Sequence, residues 1–377
     1  METAERKIKC PALPAHDPVL VIAWVLALLS ACFVHPDKRY LSYIDWRSIG
    51  ILWGLMVVIQ GMKENALFDR IGDKLLLHVH KGWQLAAVLI FLCFFSSMLI
   101  TNDVALLTFV PFSILLLHNC GMETLVLPVV VLQTVAANLG SMATPIGNPQ
   151  NLYLYGLTGV KIQAFLLQML PYAGLSLTLL LLSLFFLPER TKQIRLGGRK
   201  EKAEGGSRRQ LAVYGALFLF ALLTVLRLVP WYVLAVLVFL VVLLMDRRIL
   251  KRADYVLLFT FLGFFIFTGN MGRIPYIHGM LQRLVQGREF LVSVVASQCI
   301  SNVPAALLLS GFTDNPSALI TGVNIGGLGT LIASMASLIS YKEFSNAYQD
   351  RKGRYLLIFT GVNLVFLISL SLFHGLL

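Results

Sequence analysis

The sequence predicts an all-α polytopic membrane protein made of two inverted repeats, each with a re-entrant helical hairpin and a broken transmembrane helix. The 377 residues are 57% hydrophobic and only 13% charged, whereas a soluble domain is about one-quarter charged. Apolar runs reach about 17 to 25 residues, enough to cross a hydrocarbon layer about 30 Å thick. Basic residues lie between these runs, and several features recur in both halves. A water-soluble core is therefore excluded.

The chain begins with a charged segment, residues 1–17, that we expect to be cytoplasmic. The apolar run 19–34 follows it and leads into His35 and Pro36 without a small-x-small cleavage pattern. We interpret this run as a retained helix and not as a signal peptide.

The positions of the basic residues predict the topology. The glycine-rich segment 188–210 carries the densest positive charge and is expected to be a flexible cytoplasmic linker. Residues 6–9, 245–252 and 342–354 are also basic. All four can share the cytoplasmic face only if residues 83–117 and 290–312 enter and leave on one side, which places the N-terminus inside and the C-terminus outside.

The net charge of +12 is explained by this topology signal, so nucleic acid is not an expected partner, whereas the lipid bilayer is. Five cysteines are scattered without a C-x-x-C pair, which favours packing roles over a disulfide framework or a metal site. We divide the chain into a first repeat and a second repeat that includes a connecting helix. The first is 18–187, with hairpin 83–118 and broken helix 122–156; the second is 211–377, with hairpin 289–312 and broken helix 317–342.

An internal comparison supports this division. Single matches arise by chance in membrane proteins, but here three matches occur in the same order. The paired features are Asp45 and Gly54 with Asp254 and Gly263, Thr101-Asn102 with Ser301-Asn302, and segment 137–148 with segment 323–334. In the last pair Asn138, Gly140 and Thr144 align with Asn324, Gly326 and Thr330. Because the topology starts the second repeat on the opposite face, the repeats are predicted to be inverted, which is typical of secondary transporters.

The predicted hairpin tips place polar residues deep in apolar segments, where they are costly unless they line a cavity or are buried in protein. The first tip contains Thr101, Asn102 and Asp103. We expect Asn102 or Asp103 to cap a helix that starts at Val104, with its positive dipole end facing the cavity. The second tip contains Ser301 and Asn302, followed by a proline suited to a first helical turn.

The two glycine-rich breaks, 138–149 and 324–330, are predicted to expose backbone carbonyls as Na⁺ ligands. Gly140 and Gly326 would allow close backbone approach, while Thr144 and Thr330 are expected to cap the half-helices that restart. An anion site and a cation site are thus both available. Simple structural kinks are the alternative, although four breaks from two repeats favour function.

Asp103 is the only acidic residue well inside a predicted span, which makes it a candidate proton or cation site, with plain helix capping as the alternative. Other charged residues are expected to be structural. His78 and His80 would face lipid headgroups, and His118 and Glu123 would lie at an interfacial turn. Arg227 and Lys161 would extend from span ends toward the interface.

At these breaks the sequence resembles the ion-transporter superfamily of divalent-anion/sodium symporters, citrate transporters, arsenite permeases and sodium/proton antiporters, most closely short bacterial citrate-transporter-like permeases. The residues that carry the resemblance are 101–103, 138–141, 144–151, 301–302 and 324–327. The resemblance implies a homodimer in which a transport domain moves against a scaffold domain like an elevator. Each tip, with its neighbouring loop, would bind Na⁺ or a proton in its place, and the two tips would hold the anion.

Carried onto this chain, the resemblance implies two overlapping sets of site residues. Substrate-binding candidates are Thr101, Asn102, Thr144, Asn148, Ser301, Asn302 and Thr330; ion-coupling candidates are Asn102, Asp103, Asn138, Gly140, Asn302, Asn324 and Gly326, with Na⁺ at Asn102, Gly140, Asn302 and Gly326. Dicarboxylate symporters have Ser-Asn-Thr tips, but here Asp103 and Val303 take the third positions. An aspartate there also suits proton-coupled and antiport members.

The sequence therefore predicts a cation-coupled (Na⁺ or H⁺) symporter of a small anion, such as a di- or tricarboxylate, in the inner membrane. No Lys or Arg lies at the breaks, so half-helix dipoles and co-bound cations would meet the anion charge. The alternative is a Na⁺/H⁺ antiporter or an arsenite-type efflux permease. An enzyme is not expected because H-E-x-x-H and G-x-S-x-G motifs are missing, and no cofactor besides the coupling ion is expected. Inverted repeats argue against a channel.

Overall fold

The computed structural model describes residues 18–76, 79–193 and 207–376. Within these ranges the chain is built from α-helices joined by short connections. The basic residues 6–9, Cys10, His78 and most of the predicted linker (194–206) lie outside the described residues. The first half contains α1 Pro18–Phe33, α2 Tyr40–Tyr43, α3 Trp46–Glu64, α4 Leu67–Leu76, α5 Gly82–Ser97, α6 Asn102–Asn119, α7 Glu123–Ser141, α8 Pro149–Thr158 and α9 Ile162–Ser183.

After one additional helix, α10, the second half follows a similar order but has, among its described residues, no counterpart of the short helix α2. It contains α10 Arg208–Val225, α11 Trp231–Leu250, α12 Tyr255–Arg273, α13 Pro275–Val285, α14 Glu289–Ile300, α15 Asn302–Ser310, α16 Pro316–Ile325, α17 Met335–Ala347 and α18 Lys352–Leu376. Short 3-10 turns at Leu184–Phe186, Leu331–Ala333 and Gln349–Arg351 complete the described secondary structure.

The helices confirm the prediction of an all-α polytopic membrane protein. Six segments of the described chain are long and apolar enough to cross a bilayer: Asn102–Asn119, Glu123–Ser141, Ile162–Phe186, Arg208–Val225, Tyr255–Arg273 and Gln349–Leu376. Large apolar side chains on the outer surface are widely exposed, with Phe186 88% and Leu357 75% accessible. Apolar surface of this extent is stable only against lipid or another protein.

Helices α1, α3, α10, α11 and α12 form one packed group. Helix α1 packs on α12, while α10 and α11 pack on α3. The glycines of the predicted repeat lie at two of these contacts: Gly54 of α3 faces Leu234 of α11, and Gly263 of α12 faces Ala23 of α1. Each half thus contributes a helix that packs against the other half.

The two hairpins and the two broken helices form the second group. Helices α5 and α6 pack on α7, and α14 and α15 pack on α16. The halves are then interlocked, since α6 packs on α17 and α15 packs on α8. This exchange packs each hairpin against a helix that follows the break in the other half.

Both ends of each hairpin lie close together. At the first hairpin, the Gly82 amide donates to the Lys192 carbonyl (3.0 Å), and the Lys192 ammonium donates to the carbonyl of Gly121 (3.2 Å). At the second hairpin, the Gln286 side chain donates to Asp314. Of the four hairpin helices, only α6 is long and apolar enough to cross a bilayer. The prediction of re-entrant hairpins is therefore supported by the closeness of the two ends of each hairpin, and not by the lengths of the helices.

Candidate functional site

The first hairpin tip is held by the first helix break. Helix α6 begins at Asn102, with Thr101 extended before it and no side-chain cap bond. The Asn102 amide N–H donates to the Gly147 carbonyl (3.1 Å), and the Asn102 Oδ1 accepts from the Asp103 N–H (3.0 Å). The expectation that Asn102 or Asp103 caps a helix starting at Val104 is wrong, because the carbonyl of the break satisfies the first helical N–H.

The side chain of Asn102 also reaches across to the broken helix α7. Its Nδ2 donates to the Asn138 Oδ1 at 3.0 Å, and both residues are only 4% exposed. Asp103, next in sequence, is half-buried in the first turn of α6. The first tip, the first break and one acidic side chain therefore meet at one place, which we call joint one (residues 98–103, 138 and 142–148).

The second tip has a different backbone. Helix α15 begins at Asn302, and Ser301 before it has φ +74° and ψ 153°, a combination that is sparsely populated except by glycine. Pro304 lies in the first turn of α15, where a proline was expected. Asn302 is 4% exposed and lies against Gly327 of the second break. We call this region joint two (residues 298–302 and 324–334).

The predicted threonine caps are wrong at both breaks. Helix α8 restarts at Pro149, and its cap is Asn148, whose Oδ1 accepts from the Asn151 N–H (2.9 Å). Helix α17 restarts at Met335, where Ser334 takes the N-cap position. The threonine hydroxyls instead donate to hairpin carbonyls, because those carbonyls end a helix and lack intrahelical partners. Thr144 binds the Met98 carbonyl, and Thr330 binds the Gln298 carbonyl (3.3 Å).

The two broken helices exchange hydrogen bonds through equivalent residues. Asn138 of α7 accepts from Ser334 (3.0 Å) and donates to Ser337 (3.3 Å). Asn324 of α16 accepts from the Asn148 side chain (3.0 Å) and donates to Asn151 (2.6 Å). The alignment that pairs Asn138 with Asn324 also pairs Ser334 with Asn148, and Ser337 with Asn151. Each asparagine therefore binds the same two positions of the other repeat.

Glycine allows each broken helix to touch its hairpin. A Cβ on Gly140 would lie 2.1 Å from the Phe94 carbonyl oxygen and 2.6 Å from the Ser97 Oγ. A Cβ on Gly326 would lie 2.8 Å from the Ser297 Oγ. All three distances are below 3.0 Å, so a side chain at Gly140 would require the hairpin backbone at Phe94 to shift, and one at Gly326 would require the Ser297 side chain to move.

Some of the predicted cation ligands already accept hydrogen bonds. Asn151 Nδ2 donates to the carbonyls of Met142 (3.3 Å) and Thr144 (3.2 Å). Gln298 Nε2 donates to the carbonyls of Gly326 (2.8 Å) and Leu328 (2.9 Å). The breaks therefore do expose backbone carbonyls, but several of these carbonyls already accept hydrogen bonds from side chains. The sequence did not predict these side-chain donors.

Sequence reasoning missed Gln298, Asn151, Ser334 and Ser337 as members of the site. Asn151, Ser334 and Ser337 could have been found from the internal comparison. The same offset that aligns Asn138 with Asn324 also aligns Asn148 with Ser334 and Asn151 with Ser337. Gln298 carried no such signal, because its partner position in the first repeat is Met98.

The oxygen atoms of joint one suit a hard monovalent cation. Asn102 links the Asn138 Oδ1 and the Gly147 carbonyl through its own N–H groups, its Oδ1 accepts from the Asp103 N–H, and Asp103 follows it in the same helical turn. Neutral oxygens with at most one carboxylate are suitable ligands for Na⁺. Asn102, Asn138, Gly147 and Asp103 are therefore the residues that would hold such an ion.

Several charged residues outside the joints have structural partners. Arg227, expected to extend toward the interface, donates instead to the carbonyls of Tyr155 and Gly159 (both 2.8 Å) and stacks over the Tyr155 ring, so it caps the end of α8. His118 binds Glu123, which also accepts from the Tyr348 hydroxyl (2.7 Å). These contacts hold helix ends in place.

The fold and the polar joints describe a polytopic membrane transporter, and comparisons with known proteins agree. Residues 14–316 match the citrate transporter family, so the chain belongs to that family. It is 32% identical over 309 residues to the inner membrane protein YbiR of Escherichia coli, covering 81% of this chain and 82% of that one. It is 34% identical over 342 residues to the uncharacterized transporter MJ0456 of Methanocaldococcus jannaschii, covering 90% and 92%.

A more distant relative is the silicon efflux transporter LSI3 of Oryza sativa. It is 27% identical over 209 residues, covering 53% of this chain and 42% of that one. The predicted resemblance to short bacterial citrate-transporter-like permeases is confirmed by the family and by the two longer matches.

Proposed function

We propose that the protein is a cation-coupled symporter that moves a small anion, such as a di- or tricarboxylate, across the inner membrane. The observation that carries this proposal is the contact of two hairpin tips with two helix breaks, where the polar residues Asn102, Asn138, Asn302 and Asn324 are all buried. Polar groups this deep in a membrane protein are typical of a solute pathway.

The lack of a basic side chain at the tips and breaks supports a co-transported cation. Neither Lys nor Arg lies at the tips or the breaks, so an anion would be attracted by the amide side chains, the half-helix N-termini and a cation at joint one. The half-helix α8 begins at Pro149 and α15 begins at Asn302, and both N-termini belong to the joints. Helix N-termini carry partial positive charge and bind anions.

The two hairpins and the two broken helices would move together against the group of α1, α3, α10, α11 and α12, and this movement would carry the solute across the membrane. Contacts between the groups are made mainly by α3 with α8 and by α12 with α15. The exchanged packing of the halves supports inverted repeats and an elevator motion, and we propose a homodimer whose N-terminus is cytoplasmic. Glycine-mediated contacts between hairpins and broken helices would let these four elements move as one body.

The second candidate is a Na⁺/H⁺ antiporter or an arsenite-type efflux permease. Asp103 favours this candidate, because a carboxylate at a tip can exchange a proton for a cation. The likeness to a silicon efflux transporter also favours outward movement of a solute.

The test is solute uptake and electrical current in proteoliposomes that contain the purified protein. A panel of small carboxylates and oxyanions is added under an imposed Na⁺ gradient, an imposed pH gradient, or neither. The same measurements are made with Asn102→Ala, which removes the amide shared by tip and break. We expect saturable, gradient-driven uptake of one anion that Asn102→Ala reduces at least tenfold.

The two candidates give different results in this assay. Proton movement driven by Na⁺ alone, without dependence on any anion, would identify an antiporter. Outward but not inward gradient-driven flux would identify an efflux permease. Solute flux that neither saturates nor responds to a cation gradient would contradict both candidates.

A further inference from the structure

One difference between the two joints bears on how many cations the transporter binds. In the first hairpin the position before the tip is Met98, an apolar side chain. In the second hairpin the equivalent position is Gln298, whose amide is fully engaged with the second break. The inference below rests on the proposed function, because it concerns the coupling ion of the same site.

The Gln298 side chain fastens the second hairpin to the second break. Its Nε2 lies 2.8 Å from the Gly326 carbonyl oxygen, 2.9 Å from that of Leu328 and 3.2 Å from that of Val294. Its Oε1 accepts from the Thr330 N–H at 3.0 Å. Three carbonyl oxygens thus converge on one nitrogen that carries only two hydrogens.

A cluster of carbonyl oxygens around one point is the arrangement that binds a monovalent cation. Here the point is taken by an amide nitrogen, whose hydrogens carry partial positive charge. The nitrogen and a Na⁺ ion cannot both occupy it. Gly329, with φ +106°, turns the break tightly around this side chain, and a Cβ there would lie 2.4 Å from the Gln298 Oε1. The break is therefore shaped around the amide.

At joint one, no described hairpin side chain takes the place of Gln298. Its hairpin contributes the Asn102 amide and the carbonyl of Met98, but the Met98 side chain has no N–H to give. Asn151 donates to two carbonyls of the first break, yet it belongs to α8, so it braces the broken helix and does not join it to the hairpin. Joint one also has a carboxylate, Asp103, whereas joint two has Val303 at that position.

We propose that the Gln298 amide replaces the second cation of the repeat pair, so that this protein binds its coupling cation only at joint one. Joint two is closed by a neutral group that belongs to the chain, and its closure does not depend on Na⁺ or H⁺. One cation per cycle also limits the charge of the anion that can be carried without leaving net negative charge in the membrane.

The test counts Na⁺ bound to purified protein by equilibrium dialysis with radioactive sodium, in wild type and in Gln298→Ala. Removing the amide leaves the carbonyls of Gly326 and Leu328 free, so we expect Gln298→Ala to bind one Na⁺ more per chain than wild type. Gln298→Glu keeps the side-chain length and adds a ligand oxygen, and it is expected to gain the same ion with higher affinity. Gln168→Ala is the matched control, because Gln168 lies outside both joints and its Nε2 donates to the Ser317 carbonyl (2.7 Å) and to the Thr321 hydroxyl (2.8 Å); it should bind the same number as wild type.

Melting temperatures of the same proteins, measured in choline chloride and in sodium chloride, give a second readout. Gln298→Ala should melt lower than wild type in choline and recover in sodium, because the new ion replaces the lost bonds. A purely structural glutamine would give a loss that sodium does not reverse.

Equal sodium counts in wild type and in both folded Gln298 variants would overturn the proposal, as would two sodium ions per wild-type chain. The wild-type count tests the proposed function separately. A count of one fits Na⁺ coupling and a count of zero excludes it in favour of protons, while the expected gain of one ion in the variants is the same in both cases.

Discussion

Single asparagine side chains hold the two halves of this protein together. Asn138 and Asn324 are each buried and each bonded to two side chains of the other repeat. A primary amide suits this position because it offers donors and acceptors at one point. Since water cannot replace such bonds inside a membrane protein, their loss leaves unpaired polar groups.

Replacing Asn324 tests this role. Asn324→Ala removes the acceptor of the Asn148 Nδ2, which keeps its bond to Ser141, and the donor to the Asn151 Oδ1. A buried polar group left unpaired costs roughly 1–3 kcal/mol. We therefore expect a clearly lower melting temperature in detergent. Asn363→Ala is the matched control, because Asn363 is fully buried on α18 but bonds only to the Phe359 carbonyl of its own helix. Equal losses in the two variants would show that the exchange between repeats does not stabilise the fold.

Asp103, the acidic residue at joint one, is expected to act in transport and not in the stability of the fold. Asp103→Asn keeps the size of the side chain and removes its charge, so the helix start at Asn102 should persist. We expect the variant to fold and melt like wild type but to lose at least tenfold in gradient-driven transport. Unchanged dependence on Na⁺ and on pH, at normal expression, would assign Asp103 to structure alone.

At the scale of the helix, the sequence predicts the existence of elements better than their ends. Asp45 and Asp254, which the internal comparison pairs, cap the starts of α3 and α12, with nearly equal φ of −78° and −77° and with side chains that accept from Ser48 and Leu257. These caps are local, and a local pattern reveals them. The breaks were found from their glycines and polar residues for the same reason.

The predicted caps of the restarting half-helices were wrong because the roles of the two threonines depend on contacts with residues distant in sequence. Thr144 precedes a proline and has a good capping side chain, yet its hydroxyl binds the carbonyl of Met98 on another element. That carbonyl ends α5 and needs a donor, and only the fold brings it near. Gln298 was missed for a related reason, since its partners Gly326 and Leu328 are reached only after the hairpin packs on α16.

Contact between α5 and α7 gives a test at the scale of the element. Gly140→Ala places a methyl group 2.1 Å from the Phe94 carbonyl oxygen, so hairpin and broken helix must separate, at a cost of about 1–3 kcal/mol or more. We expect a lower melting temperature and lost transport. Gly174→Ala, on α9, is the control, because no atom lies within 4 Å of its added Cβ; the change there should be less than about 1 kcal/mol. Wild-type melting and transport in Gly140→Ala would contradict the close contact.

For the whole molecule, the exchange of packing partners is the main structural argument for two inverted repeats. Helix α1 packs on α12 and α11 on α3, while α6 packs on α17 and α15 on α8. Each half therefore completes the other, and neither half buries its own polar break alone. If the repeats are inverted, as we propose, equivalent hairpins lie on opposite faces of the bilayer.

The sidedness of the hairpin ends tests that arrangement directly. Four exposed residues flank the hairpins: Lys81 and Asn119 for the first, Arg288 and Asp314 for the second. Each is replaced in turn by cysteine in a variant that lacks the five native cysteines, and labelling by a membrane-impermeant maleimide is measured in intact cells. Re-entrant, inverted hairpins predict that Arg288→Cys and Asp314→Cys are labelled from outside, whereas Lys81→Cys and Asn119→Cys are labelled only after the membrane is opened. If the two ends of one hairpin react from opposite sides, that hairpin crosses the bilayer, and labelling of all four from one face would exclude the inversion.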